Sequence, residues 1–165
     1  SRCAPWAITQ LSVGGTAVLP LTDEPVDDDA VQPNRALVLW PYTDPADPEL
    51  DLLRDEVRVH SSSDSAKAKV GTANRRGWLA YAVGGELFVK WATPHDDGAD
   101  HVDFGATSQC YRDHRFVELE TLGPLTTLQP GATVRHRETW WLTPLGDRRL
   151  DDVLADLPTI PGSPP

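Results

Sequence analysis

The chain has 165 residues, 15 basic against 25 acidic for a net charge of -10, and is 39% hydrophobic with 12 Gly and 15 Pro. That is enough apolar material for the core of one domain. No apolar run approaches the roughly 18 residues of a membrane-spanning helix, no cationic segment followed by an apolar one marks a signal peptide, and the negative charge disfavours nucleic acid, whose phosphates it would repel.

Methionine is absent and Ser stands at position 1. The chain therefore reads as processed, or as a piece of a longer one. Cys3 and Cys110 permit one bridge and no disulfide framework, and so far apart they read as thiols.

Predicted elements run as short strands between turn residues. Trp6 to Val13 and Thr16 to Leu19 flank Gly14-Gly15 and read as a hairpin, since a tight primed turn needs positive φ. Thr22 to Pro33, with Asp27-Asp28-Asp29, reads as an acidic loop. Ala36 to Trp40 is a strand, Thr43 to Asp51 a loop punctuated by Pro45 and Pro48, Glu56 to His60 a strand, and Ser61 to Ser65 a flexible link. Gly77 to Val83 and Glu86 to Trp91 repeat the hairpin pattern around Gly84-Gly85. Thr107 to Tyr111 and Phe116 to Thr121 are further strands. Thr121 to Leu128 and Thr133 to Leu142 form a third hairpin pattern around Pro130-Gly131. Helix is confined to Arg148 to Asp156, capped by Asp147, with Leu150, Val153, Leu154 and Leu157 on one stripe. About ten short strands with long loops predict an all-β antiparallel sandwich over residues 1–146, and 147–165 follow as a short helix and Pro-rich tail.

Three stretches offer chemistry. In Phe116-Val117-Glu118-Leu119-Glu120-Thr121, alternate side chains share a face, so Glu118 and Glu120 lie about 7 Å apart on the side opposite Val117 and Leu119. On a partly buried face, repulsion pushes one such carboxyl towards protonation, the condition for general acid-base work. The competing reading is a solvated strand face with two charges. In Asn34-Arg35-Ala36-Leu37-Val38-Leu39-Trp40-Pro41-Tyr42-Thr43-Asp44, an apolar strand ends in two aromatics. Trp40 and Tyr42 can stack on the C-H face of a sugar ring while Asn34 and Arg35 bond its hydroxyls. Alternatively, Trp40 closes the core edge. The third stretch, Lys90 to Asp103, holds His95, His101 and four Asp. Its spacing matches neither an EF-hand nor a helical histidine pair, so it reads as a polar loop and no metal or other cofactor is expected. Either histidine remains a candidate proton donor.

These residues carry a resemblance. Leu119-Glu120-Thr121, Pro124, Leu128-Gln129-Pro130-Gly131 and Thr139-Trp140-Trp141-Leu142 resemble the C-terminal end of the galactose mutarotase (aldose 1-epimerase) superfamily. Ala4 to Thr9, Asn34 to Asp44, Gly85 to Lys90 and Glu118 to Leu125 are similar to an uncharacterised bacterial branch of the same superfold. The resemblance implies a β-supersandwich of roughly 250 to 300 residues, of which this chain is similar to the C-terminal half. It implies Glu120 as the base that takes the anomeric proton; in an enzyme of that type Glu118 would be its modulator, Lys90 or Arg35 the binder of a ligand substituent, and Trp40 and Tyr42 the platform. His95 is a binding candidate by its nearby loop. The family's Asn-His-x-Tyr-Phe-Asn segment corresponds here to Ala4-Pro5-Trp6-Ala7, without histidine. Carbohydrate binding therefore stands ahead of epimerisation. A third expectation is a structural half-sandwich whose open sheet edges pair in a homodimer or with a missing N-terminal half.

Overall fold

Alternation of inward apolar and outward polar residues sorts the strands into two layers. The computed structural model describes residues 1–21, 29, 31–94 and 98–157. In chain order the strands are β1 (Arg2–Cys3), β2 (Trp6–Ser12), β3 (Thr16–Pro20), β4 (Leu37–Leu39), β5 (Leu50–Leu52), β6 (Glu56–His60) and β7 (Ala68–Thr72). They continue with β8 (Trp78–Val83), β9 (Glu86–Ala92), β10 (Ser108–Arg112), β11 (Phe116–Leu122), β12 (Thr126–Thr127) and β13 (Glu138–Pro144), followed by the helix α1 (Leu150–Ala155). One sheet has the order β2-β11-β10-β7-β4 and the other β13-β9-β8-β3-β6-β5, while β1 and β12 form a small ribbon. Every recorded pairing is antiparallel. The expected all-β antiparallel sandwich with a short C-terminal helix is what forms.

The core lies between the sheets. Ala17, Leu19, Val57, Val59, Leu79 and Tyr81 from one sheet meet Val70, Cys110, Val117 and Leu119 from the other. In β6, Val57 and Val59 point inward while Glu56, Arg58 and His60 alternate outward. A second cluster covers the outer face of the six-stranded sheet, where Val153 and Leu154 of α1 pack on Val18, Trp78, Leu87 and Val89. The expected helical stripe is therefore the buried one. The residue preceding the helix is Arg149, with no side-chain cap bond, so Asp147 does not cap it.

Only one expected hairpin forms. β8 and β9 pair across Gly84-Gly85, with φ of 60° and 82° at the two glycines, as a primed turn demands. Gly14-Gly15 instead carries the chain from one sheet to the other. Ser61 fixes that crossover, its carbonyl accepting from Gly14 N (3.0 Å) and its N–H donating to Gly15 O (2.9 Å). A Cβ on Gly15 would lie 2.3 Å from Ala82 O, so the glycine there serves close approach. At Pro130-Gly131 the flanking segments also part, β12 going to β1 and β13 to β9. Strand β7, in a stretch without a predicted element, is an inner strand of its sheet. The Ser61–Ser65 link is pinned by the Ser62 N to Ser65 Oγ bond (2.8 Å) and is partly buried. Cys110 is buried and Cys3 exposed, both as thiols. The acidic segment 22–28 and the tail 158–165 lie outside the described residues.

Candidate functional site

The outer face of the five-stranded sheet carries the candidate site. Register places Glu120 beside Ile8 on β2 and Gln109 on β10, and Glu118 beside Gln10 and Tyr111. Both carboxylates thus share the outer face, as the alternation requires. They differ in surroundings. Glu118 is half-buried and accepts from Gln10 Nε2 at 3.3 Å. Glu120 is completely buried although it points away from the core.

Glu120 is enclosed by groups that complement it. Its Oε2 accepts from Trp6 Nε1 at 2.8 Å and from Lys69 Nζ at 2.8 Å. Lys69 Nζ stands 5.4 Å from the Trp6 ring centre and 4.7 Å from that of Trp40, within cation-π range of both. The repulsion expected between Glu118 and Glu120 is therefore answered by a lysine on β7. Beside them, Gln109 Nε2 donates to Asp103 Oδ2 (2.8 Å) and to Ala106 O (3.2 Å). Among the described residues, neither Glu120 Oε1 nor Gln109 Oε1 has a hydrogen-bond partner, and both are buried. Buried acceptors without donors are rare, and each asks for an explanation.

A cleft of ≈ 500 Å³ opens beside this cluster, with Trp6, Trp40, Lys69, Val102, Asp103 and Leu125 among its lining residues. Small-ligand clefts have this size and this mixture of apolar walls and few polar groups. Gly71 makes the wall possible: a Cβ there would lie 2.7 Å from Ala106 Cβ and 3.3 Å from both Gln109 and Trp40. Lys69 lines the cleft, and Glu120 lies behind it.

The expected residues divide. Glu120 and Trp40 meet in the cluster. Tyr42 sits further along the same face, edge-on to Tyr111 at 6.3 Å and under Lys67 Nζ at 4.1 Å. Burial, then Tyr111, Glu120 and Glu118, push its phenol above the usual value. Asn34 and Arg35 are exposed on the segment before β4 and do not line the cleft. His95 lies outside the described residues.

Lys90 needs correction as a substituent binder. Its side chain is completely buried between the sheets. There Nζ donates to Leu119 O (3.0 Å) and Thr9 Oγ1 (3.1 Å), and pairs with Glu138 Oε1 at 2.7 Å. Thr121 Oγ1 bonds both Glu138 and His136 Nε2. Burial lowers the Lys90 ammonium against the opposing Glu138 charge. Burial alone would raise the Glu138 carboxyl, but bonds from Lys90 and Thr121 outweigh it and hold it low.

Lys69, Trp6 and Gln109 are site residues that the sequence reading passed over. A period-two pattern around Ala68-Lys69-Val70 was the one available signal. Among the described residues, no group of three or more His, Cys, Asp or Glu is placed to hold a metal ion. No described helix is long and apolar enough to cross a membrane. No family model matches the chain, and neither the curated proteins nor the solved structures contain a match to it.

Proposed function

We propose that this cleft binds a carbohydrate, as a sugar-recognition domain of galactose mutarotase-like type. The carrying observation is a cleft walled by Trp6 and Trp40, with Lys69 and Asp103 among its polar lining residues. A sugar suits this arrangement, with hydroxyls for the Lys69 ammonium and the Asp103 carboxylate and an apolar C-H face for the indoles. Lys69 lines the cleft, and its ammonium has N–H groups to donate to a hydroxyl or ring oxygen without leaving Glu120. The resemblance of Leu119-Glu120-Thr121 and its neighbours to the mutarotase superfamily supports the same reading. The sandwich edges add to it. β2 and β13 each have one strand neighbour among the described strands, and they expose Trp6, Ile8, Trp140, Trp141 and Leu142. Such edges suit a second copy or a further half of the sandwich.

Epimerisation at the anomeric carbon is the second reading, and Glu120 Oε1 favours it as a carboxylate oxygen without a partner. A base must come within about 2.6–3.2 Å of the proton it takes. Glu120 is screened by Lys69 and Trp6, so binding ranks first. Titration of free aldoses and methyl glycosides against tryptophan fluorescence tests binding. A saturable change that disappears in Trp6→Ala is expected, and no change with any sugar refutes the reading. Exchange spectroscopy on free aldoses tests turnover: anomer exchange above background that collapses in Glu120→Gln would establish the second reading.

A further inference from the structure

Beside the cleft runs the most strained backbone among the described residues. Asp103, Phe104 and Gly105 have φ of 52°, 55° and 87°. Left-handed backbone crowds Cβ against the carbonyl, so it normally occurs at single residues, mostly Gly, Asn or Asp. Here it runs through three residues, one of them a bulky aromatic. Gly105 N donates to Val102 O (3.0 Å) and Ala106 N to Asp103 O (3.1 Å), closing one left-handed turn. Gln109, buried on β10, ties the turn down through Asp103 and Ala106.

Packing does not account for this turn. Phe104 is 94% exposed, so its ring contributes nothing to the core. An apolar ring is held in water, on backbone that disfavours it, by a buried glutamine whose other amide atom lacks a partner. Strained residues of this kind concentrate at ligand clamps, where the surroundings over-determine them. The turn's own neighbours confirm its position, since Val102 and Asp103 line the cleft together with Trp6 and Trp40.

We infer that Phe104 is an aromatic clamp of the cleft, closing on the face of the ligand turned away from Trp6 and Trp40. This rests on the carbohydrate reading and narrows it. A ring gripped from both sides needs apolar C-H surface on both faces. A pyranose with equatorial hydroxyls has that, because its C-H bonds project axially above and below. Gln109 joins clamp and sheet, because its amide on β10 holds Asp103 and Ala106 at either end of the turn.

The test is calorimetric titration with methyl β-glucoside, methyl β-galactoside and methyl α-mannoside, using wild type, Phe104→Gly, Phe104→Trp and Trp6→Ala. Glycine takes positive φ without strain, so Phe104→Gly is expected to melt no lower than wild type. It is nevertheless expected to bind the all-equatorial β-glucoside about fivefold more weakly. Phe104→Trp is expected to restore affinity, and ring protons of Phe104 should show intermolecular Overhauser effects to the sugar. Binding by Phe104→Gly equal to wild type, with Trp6→Ala impaired, overturns the clamp and leaves the carbohydrate reading standing. Absence of binding by wild type to any of the glycosides overturns both.

Discussion

Replacing Lys69 with Met removes one charge from a buried pair while keeping most of the side chain's apolar stem. The side chains of Lys69 and Glu120 are 11% and 1% exposed and meet at 2.8 Å. Without the ammonium, the carboxylate keeps one bond, from Trp6 Nε1, and water does not reach it. Breaking a buried pair this way costs about 3–5 kcal/mol, because an uncompensated charge remains. The reverse change is milder. In Glu120→Gln the amide oxygen still accepts from Trp6, and the stranded ammonium remains between the Trp6 and Trp40 rings. A loss of about 1–2 kcal/mol follows. The double variant Lys69→Met/Glu120→Gln holds no buried charge and should lose about 2 kcal/mol less than the two single losses summed. Urea unfolding followed by tryptophan fluorescence measures all four corners of this cycle. Two results would refute the burial argument. One is a Lys69→Met loss below about 1 kcal/mol, the level of exposed pairs. The other is a Glu120→Gln loss as large as that of Lys69→Met.

Two further predictions concern the inner cluster. Lys90→Met should destabilise by about 3 kcal/mol, while Lys90→Met/Glu138→Leu should return to within about 1 kcal/mol of wild type, both read from urea midpoints; a double variant no better than the single removes the pair as the cause. Burial depresses the His136 imidazole below 6.5, with Lys90 adding to it against Glu138. The folded state therefore binds fewer protons than the unfolded one. The stability it contributes is present above the unfolded value and lost as pH falls through the folded value. Thermal midpoints should decline from about pH 7 to pH 5, and less steeply in His136→Gln; an unchanged slope in that variant would exclude the histidine as the source.

The sandwich was legible because strands such as β6 and β11 alternate cleanly between valine or leucine and charge. What remained hidden depended on pairing between distant segments. Gly14-Gly15 and Gly84-Gly85 are identical dipeptides between β-favouring runs, yet one links two sheets and the other turns within one. The difference lies in Ser61, some 46 residues away along the chain, which pins the crossover. Strand β7 was missed because Ala68, Lys69 and Gly71 have weak strand preference. With it went Lys69, whose role depends on a glutamate 51 residues later. Glu120 was found because Glu118 and Glu120 alternate with Val117 and Leu119. Its burial on an outward face was not, since Trp6, Trp40 and the 103–105 turn come from separate loops and strands. The left-handed turn has no sequence signal beyond Gly105 at its end.

Strand β11 is held from both sides by charged clusters. Outside, Lys69 grips Glu120; inside, Lys90 bonds the carbonyl of Leu119, the residue immediately before it, and Glu138 bonds Thr121, the residue immediately after. The two clusters sense each other, since the Glu120 charge supports the Lys90 ammonium across the strand. Stability alone does not account for this, because well-packed apolar replacements of buried ion pairs are commonly neutral or better. Directional bonds on both flanks do what apolar packing would not: they fix the height and rotation of one backbone segment, and so the position of the carboxylate between them. Lys90 thus bears on Glu120 through the backbone of β11, away from the cleft lining. A charge-free inner cluster should leave the fold intact and loosen the outer one, which separates positioning from stability in the Lys90→Met/Glu138→Leu protein.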